Sequence, residues 1–382
     1  MKKTILFIHQ SSELYGSDKV LLVLVKKLNK DLFVPIVVLP KKGLLYDALL
    51  QENIRVIITP VMNIHKQMFS LKELFLLPIY LIKSIVTLNR ELKNTKIDIV
   101  QSNTVVVTLG FIYAKLKRLK HFWHIHEVMH TPRIAVKVFP ALVNRFSDLT
   151  IFNSETTKES FCMEQPKIRQ KSIVIYNGIE RDKPQLSENE LEKLRQTLSF
   201  EKEDIVLGLV GRLNKDKGHI LLLDSFYKIA SKYNNLKLLF IGSPVEGKEE
   251  VFDQINCKIQ YLNLQNKVTI LPFQKNIWNF WDIIDIAIAP STIKESFCLV
   301  ALEAMLSKKA VVASDLGALK EVILNNETGF LFDINSSQSL EDKISILVED
   351  KSLRLEFGEK GKQRALNTFT LVKYIREFEK IY

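Results

Sequence analysis

The chain has 382 residues, 47% of them hydrophobic and 25% charged, which is enough for roughly two domains with buried cores. Three widely separated cysteines, Cys162, Cys257 and Cys298, exclude a disulfide scaffold, and the first residues lead into a predicted strand without the apolar region of a signal peptide. We therefore expect a cytoplasmic protein.

The formal net charge of +11 comes from the first half of the sequence. Residues 1–183 hold 28 Lys and Arg against 15 Asp and Glu, whereas residues 184–382 hold 26 against 28. A half this basic suits an anionic membrane surface or a pyrophosphate-bearing acceptor. Nucleic acid is not expected, because no nucleic-acid-binding motif accompanies the charge. A lysine-rich solvated surface is the alternative.

Strands and helices alternate through the first half, which predicts a parallel, doubly wound sheet. The strand at 4–10 is followed by Gly16, which opens a helix with apolar residues at helical spacing. Backbone amides at such a glycine turn can hold a phosphate. Further strands are predicted at 33–39, 54–59, 97–102, 121–126, 149–153 and 172–176.

Two stretches of the first half combine apolar and basic residues. The longer one, 71–92, contains Pro78 and falls short of the roughly 18 uninterrupted apolar residues that a bilayer-spanning helix needs. Its cations, with one just beyond it, are Lys72, Lys83, Arg90 and Lys93. The second stretch is the basic turn 115–120. Docking on a membrane surface and a core helix with an ordinary basic turn are both open.

A histidine pair ends the strand at 121–126. His124 and His126 lie on one face, because alternate residues of a strand do so. No second His, Cys, Asp or Glu cluster stands at a recognisable spacing, which disfavours a metal site. We interpret His124 as a packed strand residue.

A polar stretch after the turn signal Asn177-Gly178 marks the predicted domain boundary, which we place after Lys183. Beyond it, Arg212 and Lys217 follow a buried strand, and a guanidinium and an ammonium five residues apart can reach one diphosphate. Strands of this second half are predicted at 204–210, 236–242, 268–273, 285–289 and 310–314. Residues 321–330 are interpreted as a helix and a turn.

Two glutamates, Glu295 and Glu303, stand eight residues apart after the strand at 285–289. A helix starting near Ser296 would place both carboxylates on nearly the same face, towards one ligand. Its N-terminal amides, in 297–300, would open at the carboxyl end of a parallel sheet, where α/β proteins bind anions.

The segment 290–332 resembles the donor-site signature of retaining glycosyltransferases of family 4 (group 1). These have the GT-B fold, with two Rossmann-like, doubly wound parallel-sheet domains facing a central cleft. The resemblance implies an acceptor-binding domain at 1–183 and a nucleotide-sugar-binding domain at 184–365. It also implies that a C-terminal helix at about 366–382 packs back on the first domain.

The resemblance also implies a role for each matching residue. Glu303 would hold the ribose hydroxyls, and His126 and Glu295 would contact the transferred sugar as catalytic residues. The donor diphosphate would be held by Gly16, Arg212, Lys217, Phe297, Cys298, Leu299 and Val300. The loops that flank the nucleobase contain Gly242, Pro272 and Phe273. The family commonly has glycine where this chain has Ser17 and Cys298.

We expect a retaining glycosyltransferase that moves a sugar from a nucleoside-diphosphate sugar, UDP- or GDP-linked, to a glycan or a polyprenyl-pyrophosphate-linked acceptor. Capsule, O-antigen or another bacterial cell-envelope polysaccharide would be the product, made at the cytoplasmic face of the plasma membrane. No metal or other cofactor is expected, since the sequence has no Asp-x-Asp motif. Two alternatives are open: a GT-B sugar-nucleotide 2-epimerase, and a catalytically silent nucleotide-sugar-binding subunit of a glycosyltransferase complex.

Overall fold

A computed structural model describes residues 2–61, 71–130, 132–244, 247 and 249–382, without the side chains of 71–75. The chain forms two compact units, Met1–Gly178 with Leu371–Tyr382, and Ile179–Thr370.

The first unit is built on a sheet of seven parallel strands in the order β3-β2-β1-β4-β5-β6-β7. These strands are β1 Lys3–His9, β2 Phe33–Leu39, β3 Arg55–Ile58, β4 Ile99–Asn103, β5 Lys120–Ile125, β6 Leu149–Phe152 and β7 Ser172–Val174. The chain winds outwards from β1 to one edge and then from β4 to the other. The strand order therefore reverses between β1 and β4, which confirms the predicted doubly wound sheet.

Among the residues that the structure describes, six helices follow the strands of this unit: α1 Gly16–Lys27, α2 Leu44–Gln51, α3 Leu71–Glu91, α4 Leu109–Lys117, α5 Arg133–Phe146 and α6 Glu155–Glu164. Leu6 and Ile8 of β1 share a buried cluster with Leu88 of α3 and Tyr113 of α4. Burying each such aliphatic side chain contributes roughly 1.5–3 kcal/mol. This cluster holds α3 and α4 on one face of the sheet. None of the helices in the described part of the chain is both long and apolar enough to cross a membrane.

The second unit is built on six parallel strands in the order β10-β9-β8-β11-β12-β13. They are β8 Ile205–Val210, β9 Leu236–Ile241, β10 Val268–Leu271, β11 Ile286–Ala289, β12 Ala310–Ser314 and β13 Gly329–Phe332. Here the order reverses between β8 and β11. The edge strand β13 was missed by the sequence analysis, which interpreted it as part of a turn. It has only four residues, and it begins with a glycine directly after the turn at 326–328.

Outside the gaps at 245–246 and 248, eight helices complete the second unit: α7 Glu188–Thr197, α8 His219–Ala230, α9 Glu250–Tyr261, α10 Trp278–Ile283, α11 Leu299–Leu306, α12 Leu319–Val322, α13 Ser337–Glu349 and α14 Lys351–Thr368. Leu207 and Phe240 of the sheet share one buried cluster with Phe226 of α8 and Ile344 of α13. The core thus fixes the positions of the strand ends, where the loops of the candidate site begin.

The last helix, α15 Leu371–Ile381, belongs to the first unit. The Tyr382 ring lies edge-on against Phe7, with ring centroids 6.1 Å apart, and its hydroxyl donates a hydrogen bond of 2.7 Å to Gln101 Oε1. Phe378 packs on His124 at 5.1 Å between ring centroids. Phe7 alternates along β1 with Leu6 and Ile8, so α15 covers the face of the sheet opposite to α3 and α4.

The first unit ends at Gly178, whereas the polar composition placed the boundary after Lys183. Arg181 explains the difference, because its guanidinium binds the Asp282 carboxylate in α10 through bonds of 2.9 and 2.7 Å. The residues just after Gly178 are polar in sequence but are bonded into the second unit. Which domain takes the donor and which takes the acceptor stays a prediction.

Candidate active site

The loops that follow β8 and β11 contact each other at the point where the strand order of the second sheet reverses. The amide of Thr292 donates a hydrogen bond of 2.8 Å to the carbonyl oxygen of Asp216. Gly218 has a φ of +73°, and a Cβ atom there would lie 1.9 Å from the carbonyl oxygen of Pro290. Only glycine fits this approach. Doubly wound sheets bind ligands at such a position.

An ion pair joins the two loops. Lys217 Nζ lies 2.5 Å from Glu295 Oε1, and the Ser291 hydroxyl donates a hydrogen bond to the same oxygen. The Lys217 amide donates 3.1 Å to Asn214 Oδ1. Burial is the largest single effect and would lower the pKa of Lys217, but the Glu295 carboxylate, with smaller contributions from Cys298 and Asp216, holds that pKa above its ordinary value. Lys217 is therefore a fixed cation at this edge of the sheet.

A third loop, after β12, holds the backbone of Glu295. The amide of Ala318 donates 3.0 Å to the Glu295 carbonyl. Gly317 has a φ of +61°, and a Cβ atom there would lie 2.6 Å from that same carbonyl oxygen. The sequence analysis identified Glu295 and Lys217 but missed Ser291, Gly317 and Ala318, whose contacts depend on which strands are neighbours.

The prediction that Glu295 and Glu303 share one face of a helix is wrong. Helix α11 begins at Leu299, not near Ser296, and Cys298 before it has non-helical dihedrals (φ −106°, ψ 89°). Glu295 lies in the loop, where its side chain meets Lys217 and its carbonyl meets the loop after β12. These contacts take the place of the main-chain hydrogen bonds that residues 295–298 would form in a helix.

Glu303 lies on α11 and is buried. Its Oε2 accepts a hydrogen bond of 3.2 Å from the indole Nε1 of Trp281, which is fully buried in α10. The sequence analysis missed Trp281. The signal was present in principle, because a buried indole N–H usually needs an acceptor.

The N-terminal end of α11 contains the other residues that the resemblance assigns to the diphosphate. The Cys298 thiol is buried, and burial together with the Glu295 carboxylate raises its pKa to about 12. It is therefore neutral and adds no charge to the loop. The Phe297 ring packs on Phe369 with ring centroids 5.8 Å apart. Leu299 and Val300 form the first turn of the helix, where amides have no partner within the helix.

The remaining predicted residues of the second unit follow β8, β9 and β10 at the same edge of the sheet. Arg212 is half-buried one residue after Gly211. A Cβ atom on Gly242 would lie 1.8 Å from the Gly211 carbonyl oxygen, so these two loops also approach closely. The Phe273 amide, next to Pro272, donates 3.0 Å to Ser243 Oγ. The predicted contact of Gly242, Pro272 and Phe273 with a nucleobase stays a prediction.

A buried polar cluster stands at the carboxyl ends of β1 and β5 in the first unit. His9 Nε2 lies 2.7 Å from Asp18 Oδ1, and the His124 and His126 rings lie 3.8 Å apart between centroids. Burial, reinforced by His9 and opposed by Asp18, lowers the pKa of His126 to about 3. His126 is therefore a neutral imidazole at physiological pH. Gly16 begins α1, and a Cβ atom on it would meet nothing within 4 Å.

No group of three or more His, Cys, Asp or Glu side chains is placed to hold a metal ion in the part of the chain that the structure describes.

Glu127 is a further titratable residue beside His126 that the sequence analysis did not select. Its Oε2 accepts from the amides of Val105 at 3.1 Å and His126 at 3.2 Å. Burial raises the pKa of Glu127 to about 7, against the opposing effect of these two bonds.

The raised pKa of Glu127 makes the stability of the protein depend on pH. A carboxyl group with a raised pKa binds its proton more tightly in the folded state, so stability falls as pH rises from about 4.5 to about 7. Glutamine accepts the same two amide bonds without a charge. We expect Glu127→Gln to raise stability by about 1–3 kcal/mol at pH 8 and by little at pH 4, measured as Tm.

The matched control is Glu164→Gln, at an exposed position at the end of α6. We expect it to give no comparable difference between the two pH values. If Glu127→Gln lowers Tm by the same amount at pH 4 and pH 8, ionisation of Glu127 does not oppose folding.

Comparison with known proteins identifies the family to which the chain belongs. The family model described as Glycosyltransferase Family 4 matches residues 18–183, and the one described as Glycosyl transferases group 1 matches residues 190–364. A lipopolysaccharide 1,2-N-acetylglucosaminetransferase of Salmonella typhimurium is 31% identical over 50% of this chain and 51% of its own length. The capsular polysaccharide biosynthesis glycosyltransferase CapM of Staphylococcus aureus is 31% identical over 54% of this chain and 52% of its own. The chain thus spans about half the length of these curated relatives.

A solved structure extends the similarity over the whole chain. HepE of Anabaena, crystallised in complex with UDP and glucose, has a TM-score of 0.86 at 26% identity, covering 99% of this chain and 98% of that one. Its complex with UDP-glucose gives a TM-score of 0.87 at 25% identity over the same shares. With both family models matched and this fold shared from end to end, the chain belongs to the group 1, or family 4, glycosyltransferases of GT-B fold.

Proposed function

We propose that the protein is a retaining glycosyltransferase that takes a sugar from a nucleoside-diphosphate sugar and transfers it to a glycan or lipid-linked acceptor. The observation that carries this proposal is the Lys217–Glu295 pair at the strand-order reversal of the second sheet. A fixed cation there suits a diphosphate, and a carboxylate beside it suits sugar hydroxyls.

The arrangement supplies the electrostatics that such a transfer needs. As the bond between the sugar and the nucleoside diphosphate breaks, negative charge grows on the leaving phosphate. Lys217, Arg212 and the first-turn amides of α11 would stabilise that charge more in the transition state than in the ground state. An ammonium has three N–H groups, so Lys217 can bind a phosphate oxygen while it keeps Glu295.

The neutral state of His126 restricts its role to orienting the sugar by a hydrogen bond. A protonated imidazole would repel the positive charge that develops on the sugar ring, and the pKa of about 3 keeps His126 uncharged. We propose a front-face displacement in which the departing phosphate oxygen accepts the proton of the acceptor hydroxyl as the new glycosidic bond forms. No covalent enzyme intermediate is part of this route.

The acceptor class is inferred from the relatives. One is named N-acetylgalactosamine-N,N'-diacetylbacillosaminyl-diphospho-undecaprenol 4-alpha-N-acetylgalactosaminyltransferase, of Campylobacter jejuni. Another is named as an α-1,3-galactosyltransferase of Escherichia coli acting on GlcNAc-diphosphoundecaprenol. Together with the lipopolysaccharide and capsule enzymes above, they support a role in bacterial surface polysaccharide synthesis. We propose that this takes place on the cytoplasmic face of the membrane. HepE binds UDP, which favours a UDP-sugar donor.

The donor site can be tested with a thermal shift panel of UDP-, GDP-, ADP- and dTDP-sugars, with and without EDTA. One nucleotide series should raise Tm, because a ligand that binds only the native state stabilises it. We expect the shift to persist in EDTA, and to vanish in Arg212→Ala/Lys217→Ala.

The control for this panel is Lys215→Ala, which removes an exposed cation from the same loop and should keep the shift. The donor-site assignment is abandoned if no nucleotide sugar raises Tm. Binding without transfer to any acceptor would favour a silent binding subunit, and interconversion of the sugar nucleotide without an acceptor would favour an epimerase.

The stereochemical course is a separate prediction. The anomeric configuration of the product should equal that of the donor sugar, because front-face displacement adds the acceptor on the side from which phosphate leaves. Proton NMR of the anomeric signal in a fresh reaction mixture measures this. A product of opposite configuration would exclude the retaining mechanism.

We also propose that the first unit docks on an anionic membrane through the outward side of α3, α4 and α5. On α3, Ile79, Ile82 and Val86 are 58%, 62% and 59% exposed, at a spacing that aligns them on one face. Phe111 of α4 stacks on Phe146 of α5 with centroids 4.7 Å apart, so these two helices are neighbours.

The charge of this surface fits anionic lipid. Among the described side chains of the three helices (76–91, 109–117 and 133–146), the only acid is Glu91. The cations there are Lys83, Arg90, Lys115, Lys117, Arg133, Lys137 and Arg145. Exposed apolar residues among surface cations are typical of interfacial binding, with each cation worth about 1 kcal/mol near an anionic surface. Lys72, which the sequence also suggested for this surface, has its side chain outside the described residues.

Vesicle co-sedimentation tests this surface. We expect binding to phosphatidylglycerol vesicles that weakens in 0.5 M salt, and none to phosphatidylcholine vesicles. Lys83→Glu/Lys137→Glu should weaken binding about tenfold or more. Lys232→Glu/Lys351→Glu makes an equal charge change at exposed positions of the second unit. This variant should keep most of the binding to phosphatidylglycerol vesicles. Equal losses in both variants would show that only net charge matters.

A further inference from the structure

The indole of Trp281 is the donor that contacts the predicted ribose-binding carboxylate. Trp281 is fully buried, and its Nε1 donates 3.2 Å to Oε2 of Glu303, itself only 7% exposed. We infer that Trp281 is a positioning residue, which aims the Glu303 carboxylate at the ribose hydroxyls and so makes the site selective for ribonucleotides. This inference rests on the proposed function.

The chemistry of the pair supports this role. An indole N–H can only donate, and a carboxylate can only accept, so the bond has one possible direction. A buried carboxylate is costly unless its oxygens are hydrogen-bonded, and the bond from Trp281 limits rotation of the carboxylate about its last torsion. Ribose hydroxyls are donors as well, and they require a carboxylate of fixed orientation.

Helix α10 is itself fixed relative to α11 by Arg181. The Arg181 guanidinium binds Asp282 in α10, lies 5.6 Å from the ring centroid of Trp278 in α10, and donates 3.1 Å to the hydroxyl of Ser307. Ser307 ends α11. One cation therefore ties the helix of Trp281 to the C-terminal end of the helix of Glu303. These contacts of Arg181 hold the indole N–H of Trp281 and the carboxylate of Glu303 in position relative to each other.

The consequence is a specificity that can be measured. A site built to hydrogen-bond a hydroxyl group rejects an analogue that lacks it, because its polar groups are left unpaired. Discrimination between a ribonucleotide and its 2′,3′-dideoxy analogue should then depend on how well Glu303 is oriented. Trp281 would set this ratio without touching the nucleotide.

The experiment measures the affinity of UDP and 2′,3′-dideoxy-UDP by titration calorimetry, with GDP and its dideoxy analogue as a second pair. We expect wild type to prefer the ribonucleotide. Trp281→Phe, which keeps a large ring but removes the N–H, should weaken ribonucleotide binding about 5- to 20-fold and leave the dideoxy affinity nearly unchanged. In a transfer assay, the KM for the donor should rise more than kcat falls.

Trp278→Phe is the matched control, because Trp278 lies on the same helix and phenylalanine keeps an aromatic face for the contact with Arg181. We expect it to keep the wild-type ratio of affinities. An unchanged ratio in Trp281→Phe overturns the inference, and so does an equal loss for both analogues, which a purely structural role would give. If wild type binds no nucleotide at all, the proposed function fails together with the inference.

A measurement on the wild-type protein covers the case in which Trp281→Phe does not fold. The sequence has three tryptophans, so ¹⁵N-tryptophan labelling gives three indole signals. Trp278→Phe and Trp123→Phe identify two of them, and the third belongs to Trp281. The Trp281 signal should move when UDP binds and stay in place when dideoxy-UDP binds at saturation. Equal movement with both ligands, or movement with neither, would contradict a link between the indole bond and the ribose.

Discussion

The ion pair between Lys217 and Glu295 is the interaction on which the second unit's site depends. Removing one partner of a buried pair costs about 3–5 kcal/mol, and less where a side chain keeps some exposure, as Lys217 does at 29%. The pair exists because β8 and β11 are neighbours in the sheet although 75 residues separate Val210 from Ile286. Packing of the apolar core sets that strand order, and the charges meet as a result.

The two units share one plan of strand order but differ in the chemistry at its reversal. The second places a cation and a carboxylate there, in contact at 2.5 Å. The first places His9, Asp18, His124 and His126 there, and the pKa of His126 is lowered to about 3 by burial. One site is suited to a charged group and the other, apart from Asp18, to neutral hydroxyls. This contrast is consistent with our proposal that the second unit binds the phosphates of the donor and that the first unit contacts the sugar.

The sequence predicted the strands well because their signal is local. Each predicted strand is a largely apolar run bounded by polar residues, and all of them are confirmed, whereas the edge strand β13 was missed because it begins with a glycine next to a turn. The exact start of α11 could not be predicted, since the loop that carries Glu295 is held by Lys217, Ser291 and Ala318 from other parts of the chain. Trp281 was missed for the same reason, because its acceptor lies 22 residues away.

Gly218 has a consequence for how such a site can change. A side chain there would collide with the Pro290 carbonyl at 1.9 Å, and the φ of +73° would strain it besides. The backbone on which the ion pair stands is therefore closed to substitution at this point. Evolution or design can alter the ligand preference of this loop only through the side chains around Gly218, so the loop path can stay the same while the ligand changes. Variation in this site is therefore expected in the side chains that line it and not in the backbone path at Gly218.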